Sequence, residues 1–305
     1  MIIPVYNCAE YLRNTLDSVL KQDPGPRKME IIVVDDFSTK DDPGRIVTEI
    51  GCERIIFYKQ KENVGKSKNY ATGLNLSKGR LIHILHGDDY ISAGFYRKME
   101  TLYSEYPEAS AYFCQCNYVN KDNQILGNSG KLSESEGIIE GFVNKIAAWQ
   151  IIQPPSIIFR REVYEKLGGY DTRLPFMEDW EFYTRVSVFF KFAYTPEILA
   201  NYRVFPESSS QQSKKGGKRL PTLKKTMSII DEYLPVNVRE KIKRGRKHSL
   251  SVYLISLIPD MICSGDLKGY YRVTGMLLRY NNNIRLWLRY LRFILQCRKF
   301  RTENI

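Results

Sequence analysis

The chain has 305 residues, 43% apolar and 26% charged, which suits one sizeable globular domain or one domain with an appendage. No apolar run reaches the roughly 18 residues that a membrane-spanning helix needs, because Ser251 to Ser264 is broken by Pro259-Asp260, so a membrane span is excluded. The net charge of +12 is lopsided: Lys214 to Ile305 carries 21 Lys/Arg against 6 Asp/Glu, a net of +15, and everything before it sums to −3.

In chain order, Ile2-Ile3-Pro4-Val5-Tyr6 is a short apolar run of strand type, and Asn7 is placed to cap the helix that follows. That helix, about Ala9 to Lys21, puts Leu12, Leu16, Val19 and Leu20 on one face, and Asp23-Pro24-Gly25-Pro26 ends it. Glu30 to Val34 reads as a β-branched second strand running into Asp35-Asp36-Phe37-Ser38-Thr39. Arg54 to Tyr58 reads as a third, followed by a polar loop and a helix from about Ser67 to Leu76. Strands alternating with helices at this spacing predict a parallel, doubly wound sheet. The cysteines, at 8, 52, 114, 116, 263 and 297, form no C-x-x-C pair and no zinc spacing, and Cys114 and Cys116 read as free buried thiols of a reducing compartment.

Arg80-Leu81-Ile82-His83-Ile84-Leu85-His86 is nearly continuous apolar sequence, as expected of a strand covered on both faces, and it stops at Gly87-Asp88-Asp89. Open α/β sheets hold their ligands at such strand ends. Two adjacent carboxylates repel unless a cation or solvent lies against them, and hard oxygens in ones and twos suit Mg²⁺ or Mn²⁺. A solvated Gly-Asp turn is the plainer alternative. Gly65-Lys66-Ser67 resembles the end of a phosphate-binding P-loop, but the first glycine of that pattern falls at Gln60, and no strand runs into G-x-G-x-x-G. A Walker nucleotidase and a nicotinamide oxidoreductase are both excluded.

Taken together, Ile3-Pro4-Val5-Tyr6-Asn7, Asp35-Asp36-Phe37-Ser38-Thr39, Asn63-Val64-Gly65-Lys66-Ser67 and His86-Gly87-Asp88-Asp89 come in the order and spacing of the family 2 inverting glycosyltransferases of GT-A fold. The chain resembles that family further in Pro154-Pro155-Ser156-Ile157-Ile158-Phe159-Arg160-Arg161, Leu167-Gly168-Gly169-Tyr170-Asp171, Glu178-Asp179-Trp180-Glu181 and Tyr202-Arg203. The resemblance implies an α/β fold with a doubly wound, mixed but mainly parallel, Rossmann-like sheet over residues 1–210. A basic, mainly helical extension of residues 211–305 completes the expected division.

In the family, the first strand end and the acids after the second strand hold the base and ribose of a sugar nucleotide, which implies Pro4, Tyr6, Asp35 and Asp36 here. A carboxylate at Asp36 can accept a ring N–H of uracil or thymine, although an Asx turn or helix cap is open to it as well. Asn63, Lys66 and Gly87 join this nucleotide-binding set by position. So does Arg203, which has a plain ion pair as its alternative. The resemblance also implies that Asp88 holds a divalent cation, Mg²⁺ or Mn²⁺, on the diphosphate. Asp89 follows it, and His86 stands where the family's first acid falls; His83 reads as a satisfied core histidine. Asp179, second of the acid pair, is the implied general base, with Glu178 and Trp180 on the acceptor side. Three positions depart from the family pattern: Tyr70-Ala71 replaces a common Arg-Asn, Phe205 replaces a histidine, and the first strand is short.

Past Ser208-Ser209-Ser210, Gln211 to Arg219 reads as a polar basic linker, and Ile284 to Gln296 as an amphipathic helix. Trp287, Leu288 and Leu291 lie on one face of that helix and Arg285, Arg289 and Arg292 on another, a pattern for an anionic membrane surface or for packing on the protein itself. Nucleic acid has no task in this chemistry. The expectation is a cytoplasmic enzyme, peripheral on the inner face of the membrane, passing a sugar from a UDP- or dTDP-type donor to a glycan or lipid-linked hydroxyl. Two alternatives are a nucleotidyltransferase, which would want a Gly-rich basic loop where Tyr6-Asn7-Cys8-Ala9 stands, and a non-catalytic sugar-nucleotide binder or assembly protein.

Overall fold

The computed structural model describes residues 1–51, 53–206, 208–214 and 217–280. The chain divides into two compact units, Met1–Ile146 with Gln150–Phe205, and Ala147–Trp149 with the chain from Pro206 on.

The first unit begins β1 (Ile2–Val5), α1 (Ala9–Leu20), β2 (Ile31–Asp35), α2 (Pro43–Ile50), β3 (Ile55–Lys59), α3 (Lys66–Leu76) and β4 (Leu81–His83). It continues with β5 (Tyr90–Ile91), α4 (Phe95–Glu105), β6 (Ala109–Val119), β7 (Ile125–Asn128), β8 (Gly137–Ile138) and α5 (Phe142–Ile146), and closes with β9 (Ile157–Arg160), α6 (Arg161–Leu167), α7 (Glu178–Phe189) and β10 (Lys191–Arg203).

β1, β2 and β3 pair in parallel, Val5 opposite Asp35 and Asp35 opposite Lys59. A second sheet runs β4-β9-β6-β10-β5, antiparallel except where β6 meets β10. The stretch from Leu81 to Gly87 belongs to both sheets. Its first three residues pair with β9, then Ile84 bridges Ile2 in parallel, and the N–H groups of Leu85 and Gly87 donate to the carbonyls of Ile2 and Pro4 at 3.0 and 3.1 Å. The expected strand over 80–86 is therefore split by a change of partner. Gly87 permits the approach to β1, since a Cβ there would lie 2.6 Å from Val5 Cγ1 and 2.9 Å from Cys8 Sγ.

Alternation along β1 and β2 builds two cores. Ile3, Val5 and Val33 face Leu12 and Leu16 of α1, whereas Ile2, Ile32 and Val34 face Tyr70 of α3. These side chains are almost wholly buried, each worth about 1.5–3 kcal/mol of transfer free energy. Parallel strands covered on both faces are the doubly wound arrangement that the alternation of elements predicts.

The second unit holds α8 (Ser209–Lys214), α9 (Leu220–Tyr233), α10 (Val236–Ser256), α11 (Ile258–Ser264) and α12 (Leu267–Tyr280). Arg246 of α10 is buried, pairs with Asp231 at 2.7 Å, and donates to Ala147 O at 3.2 Å, which ties the Ala147–Trp149 segment to these helices. The expected linker over 211–219 is helical in its first part, because Ser208 caps it: its Oγ accepts Gln211 N–H and its carbonyl accepts Gln212 N–H. The expected helix over 284–296 lies outside the described residues. Among those described, no helix is long and apolar enough to cross a membrane.

Candidate functional site

The C-terminal ends of β1, β2 and the β4 stretch lie side by side, at the edge where open α/β sheets hold their ligands. Tyr6 leaves β1 half exposed, at 49%. Phe37, one residue past the acids of β2, is 39% exposed at φ +63°, with Lys59 Nζ 5.8 Å above its ring. A bulky residue held in left-handed backbone and facing solvent is a strained arrangement of the kind found at binding sites. Asn7, itself at φ +51°, clamps this rim: its Oδ1 accepts the N–H groups of Thr39 and Lys40 at 2.9 and 3.0 Å. It therefore does not cap α1 as the sequence suggested. Asp41 takes that place, accepting Ala9 N–H at 2.7 Å.

Asp35 and Asp36 diverge. Asp35 is fully buried; its Oδ1 accepts the N–H and hydroxyl of Ser38 at 2.9 and 2.6 Å and so shapes the turn, while its Oδ2 lies 3.7 Å from Lys59 Nζ. Asp36 grips the loop before α3, one oxygen on Val64 N–H (2.8 Å) and the other on Gly65 N–H (3.1 Å), while its carbonyl accepts Asn63 Nδ2. Asp36 thus sets the position of Lys66, the first residue of α3. Pro4 is likewise buried, its carbonyl accepting Gly87 N–H, and presents no side chain to this edge.

At the acid turn, ligand atoms of His86, Asp88 and Asp89 all lie within 4.8 Å of one another. Burial raises both carboxyl groups above their ordinary range, that of Asp89 strongly, with the charge of Asp88 adding to it. Burial also lowers His86 to about 3, so the imidazole is neutral and has a lone pair to give. Asp89 Oδ2 is buried with no hydrogen-bond partner among the described residues and stands 3.8 Å from His86 Nδ1. A neutral imidazole and two hard carboxylate oxygens, one of them buried and unsatisfied, fit a divalent cation. Tyr70, the departure from the family pattern, sets the imidazole: its hydroxyl is 2.7 Å from His86 Nε2, and the rings stack at 5.7 Å. With Nε2–H donating to the phenol oxygen, Nδ1 faces the acids with its lone pair, as in metal-bound histidines whose other nitrogen is hydrogen-bonded.

The charges of the acid pair at the start of α7 reach the same phenol. Burial, and then the charges of Glu178, Asp179 and Asp88, hold Tyr70 well above its ordinary pKa. Met177, at φ +64°, turns the chain into α7. Glu178 is buried and pairs with Lys66 Nζ at 2.7 Å. Asp179 is half-buried, with Gln150 Nε2 donating to its Oδ2 at 3.0 Å. Gln150 was not singled out in the sequence, where no motif surrounds it. Neither was Thr15, fully buried on α1, whose hydroxyl sits 2.7 and 3.0 Å from the carbonyls of Asp89 and Gly87 and pins the acid turn from below.

Two expectations are corrected. Arg203 is only 2% exposed and faces inward: Nε donates to Asp88 O (2.8 Å), Nη1 to the carbonyls of Asn120 and Lys121, and Nη2 to Asn123 Oδ1. Its guanidinium also stacks on Tyr11 at 4.6 Å, so it braces the acid turn with its N–H donors committed to protein oxygens. Trp180 is fully buried, its indole N–H donating to Ile146 O at 2.6 Å; the helical turn after Asp179 points it into the core and away from any acceptor. Phe205 packs on Tyr11 at 5.1 Å. His83 is the satisfied core histidine, bonded to Pro155 O at 3.1 Å and stacked on Phe95.

The family model for glycosyl transferase family 2 matches residues 1–168. Glycosyltransferase GlyA of Streptococcus pneumoniae is 31% identical over 179 residues, 55% of this chain and 25% of that protein. The chain spans between a quarter and just under half of the length of the first curated relatives it matches. In fold it is similar to Staphylococcus aureus TarS residues 1–349 in complex with UDP-GlcNAc, with a TM-score of 0.59 at 14% identity over 91% of this chain and 90% of that one. It is also similar to the mannosyltransferase PcManGT from Pyrobaculum calidifontis in complex with GDP-Man and Mn²⁺, with a TM-score of 0.53 at 18% identity over 97% and 84% of the two chains.

Proposed function

The chain belongs to glycosyl transferase family 2, and from that premise we propose that it moves a sugar, with inversion, from a nucleoside-diphosphate sugar of UDP or dTDP type to a hydroxyl of a glycan or lipid-linked acceptor. The catalytic machinery is assigned to residues 1–210. The observation that carries the reading is a cation-type donor set (His86, Asp88, Asp89), held by Tyr70 of α3, together with a partly exposed carboxylate (Asp179) at the start of α7, a helix that the 2.7 Å pair of Lys66 and Glu178 ties to the start of α3.

The roles follow from chemistry. Asp179, held through Oδ2 by Gln150, takes the acceptor hydroxyl proton as that oxygen attacks the anomeric carbon, and the bond to the nucleoside diphosphate breaks on the opposite face. Asp88, with His86 and Asp89, would hold Mg²⁺ or Mn²⁺, which when bound supplies positive charge to the leaving diphosphate. Tyr6 and Phe37, exposed at the ends of β1 and β2, offer ring faces to the base. His86 and Tyr70, each unusual for the family, act together, so their departures do not argue for a non-catalytic binder.

A peripheral place on an anionic membrane is part of the same proposal. Its support is the net +15 from Lys214 onward and the outer face of α12, where Leu267, Tyr271 and Leu278 are 66, 70 and 57% exposed beside the exposed Lys268 and Arg279.

A thermal-shift panel of nucleoside diphosphates and their sugars, with Mn²⁺ and with chelator, tests the reading. A ligand that binds the folded state raises the melting temperature in proportion to ln(1 + [L]/Kd). A uridine or thymidine diphosphate shift that needs Mn²⁺ and is lost in Asp88→Asn supports it. No shift with any nucleotide, or equal shifts in chelator, would overturn it.

A further inference from the structure

Lys66 and Glu178 start two different helices and meet at 2.7 Å, Nζ to Oε1. Each backbone is fixed just before its side chain departs: Lys66 follows Val64 and Gly65, whose N–H groups Asp36 holds, and Glu178 follows Met177 in left-handed backbone. The two partners are unequal. The Glu178 side chain is 3% exposed and its Oε2 has no hydrogen-bond partner among the described residues, whereas the Lys66 side chain is 39% exposed.

A buried carboxylate depends on its cation, because solvent cannot reach it. An ammonium has three N–H donors, so Lys66 can serve Glu178 and still reach a ligand. Its charge is also felt by His86 and Asp88, which places it within Coulomb range of the acid turn. Arg203, the other cation that lies against that turn, is committed to carbonyls.

We propose that Glu178 is a positioning residue for the donor and not a contact for the acceptor: it holds the Lys66 ammonium beside the acid turn, where Lys66 meets the diphosphate of the sugar nucleotide. This rests on the transferase reading above, and it assigns the neighbouring acids separate tasks, Glu178 in donor electrostatics and Asp179 in proton transfer. Without Glu178, the four-carbon stem of Lys66 is free to sample solvent, and the ammonium is no longer preorganised.

Calorimetry with UDP and with GDP in Mn²⁺ tests it on the parent, Lys66→Met, Glu178→Gln, the double variant and Lys66→Arg. Each of the first two variants is expected to bind the preferred nucleotide roughly ten- to a hundredfold more weakly, the scale of one hydrogen bond to a charged group. The double variant is expected to bind no more weakly than Lys66→Met, because both changes remove one arrangement, and Lys66→Arg is expected to keep most of the affinity. Thermal melts report folding, and if Lys66→Met does not fold, the contrast between the isosteric Glu178→Gln and Lys66→Arg carries the same test. Parent affinity in Glu178→Gln, or losses that add in the double variant, would overturn the proposal while leaving the transferase reading in place. Failure of the parent to bind either nucleotide would overturn both.

Discussion

Tyr70→Phe removes one oxygen and isolates what the phenol does for His86. The ring stays anchored, since Tyr70 packs with Ile2, Ile32 and Val34 and meets the edge of Tyr170 at 5.0 Å. What disappears is the 2.7 Å bond to His86 Nε2. A hydrogen bond of this kind contributes about 1 kcal/mol to stability, so the fold is expected to survive with a slightly lower melting temperature. Its effect on the cation is larger, because a partner that orients a ligating histidine is typically worth about ten- to a hundredfold in metal affinity. At 1.4 kcal/mol per factor of ten, that is about 1.4–2.8 kcal/mol. Titration of Mn²⁺ followed by electron paramagnetic resonance of the free ion measures it directly. Equal Mn²⁺ affinity in Tyr70→Phe and parent would refute the view that His86 is held for a cation.

Three further outcomes follow from the same contacts. Arg203→Met leaves the carbonyls of Asp88, Asn120 and Lys121 unsatisfied; a cost of about 3 kcal/mol is expected, or roughly 6–12 °C in melting temperature by calorimetry, and an unchanged melt would contradict the inward bracing role. His83 has its pKa lowered to about 3 by burial, so the unfolded chain takes up a proton below the ordinary value of 6.5 that the folded one refuses. Stability is therefore lost as pH falls, by about 2 kcal/mol at pH 5 for this group, and denaturant titrations of His83→Gln are expected to show that share of the pH dependence removed. Leu267→Ser with Tyr271→Ser is expected to reduce co-sedimentation with anionic vesicles without lowering the melting temperature, and equal recovery on neutral and anionic vesicles would contradict membrane recruitment by charge.

The strand ends were legible because their chemistry is local. An apolar run that stops at acids declares both a buried strand and a ligand-holding sheet edge, and β1, β2, β3 and α3 fall within a residue or two of their expected bounds. Side-chain direction was not legible. Arg203 and Trp180 sit in motifs, yet the first turns inward because Asn120, Lys121 and Asn123 come from a loop far away in sequence, and the second because of one step of helical rotation. The splitting of the 80–86 stretch depends on which strand lies beside it, something hydrophobic periodicity does not encode. Tyr70 and His86 looked like separate departures until the fold placed them 2.7 Å apart. Gln150 lay in sequence without a motif, so only its contact with Asp179 singles it out.

The division of labour between Asp88 and Asp179 is the central claim, and nucleotide release measures it most directly. The parent and Asp179→Asn are incubated in Mn²⁺ with whichever nucleotide sugar most raises the parent's melting temperature. Release of nucleoside diphosphate is followed beside calorimetry of the nucleotide alone. The expected result is turnover lower by roughly 10²- to 10⁴-fold in Asp179→Asn, with nucleotide affinity within twofold of the parent. Turnover within a few-fold of the parent would contradict the assignment of the base to Asp179 and move proton transfer elsewhere in the site.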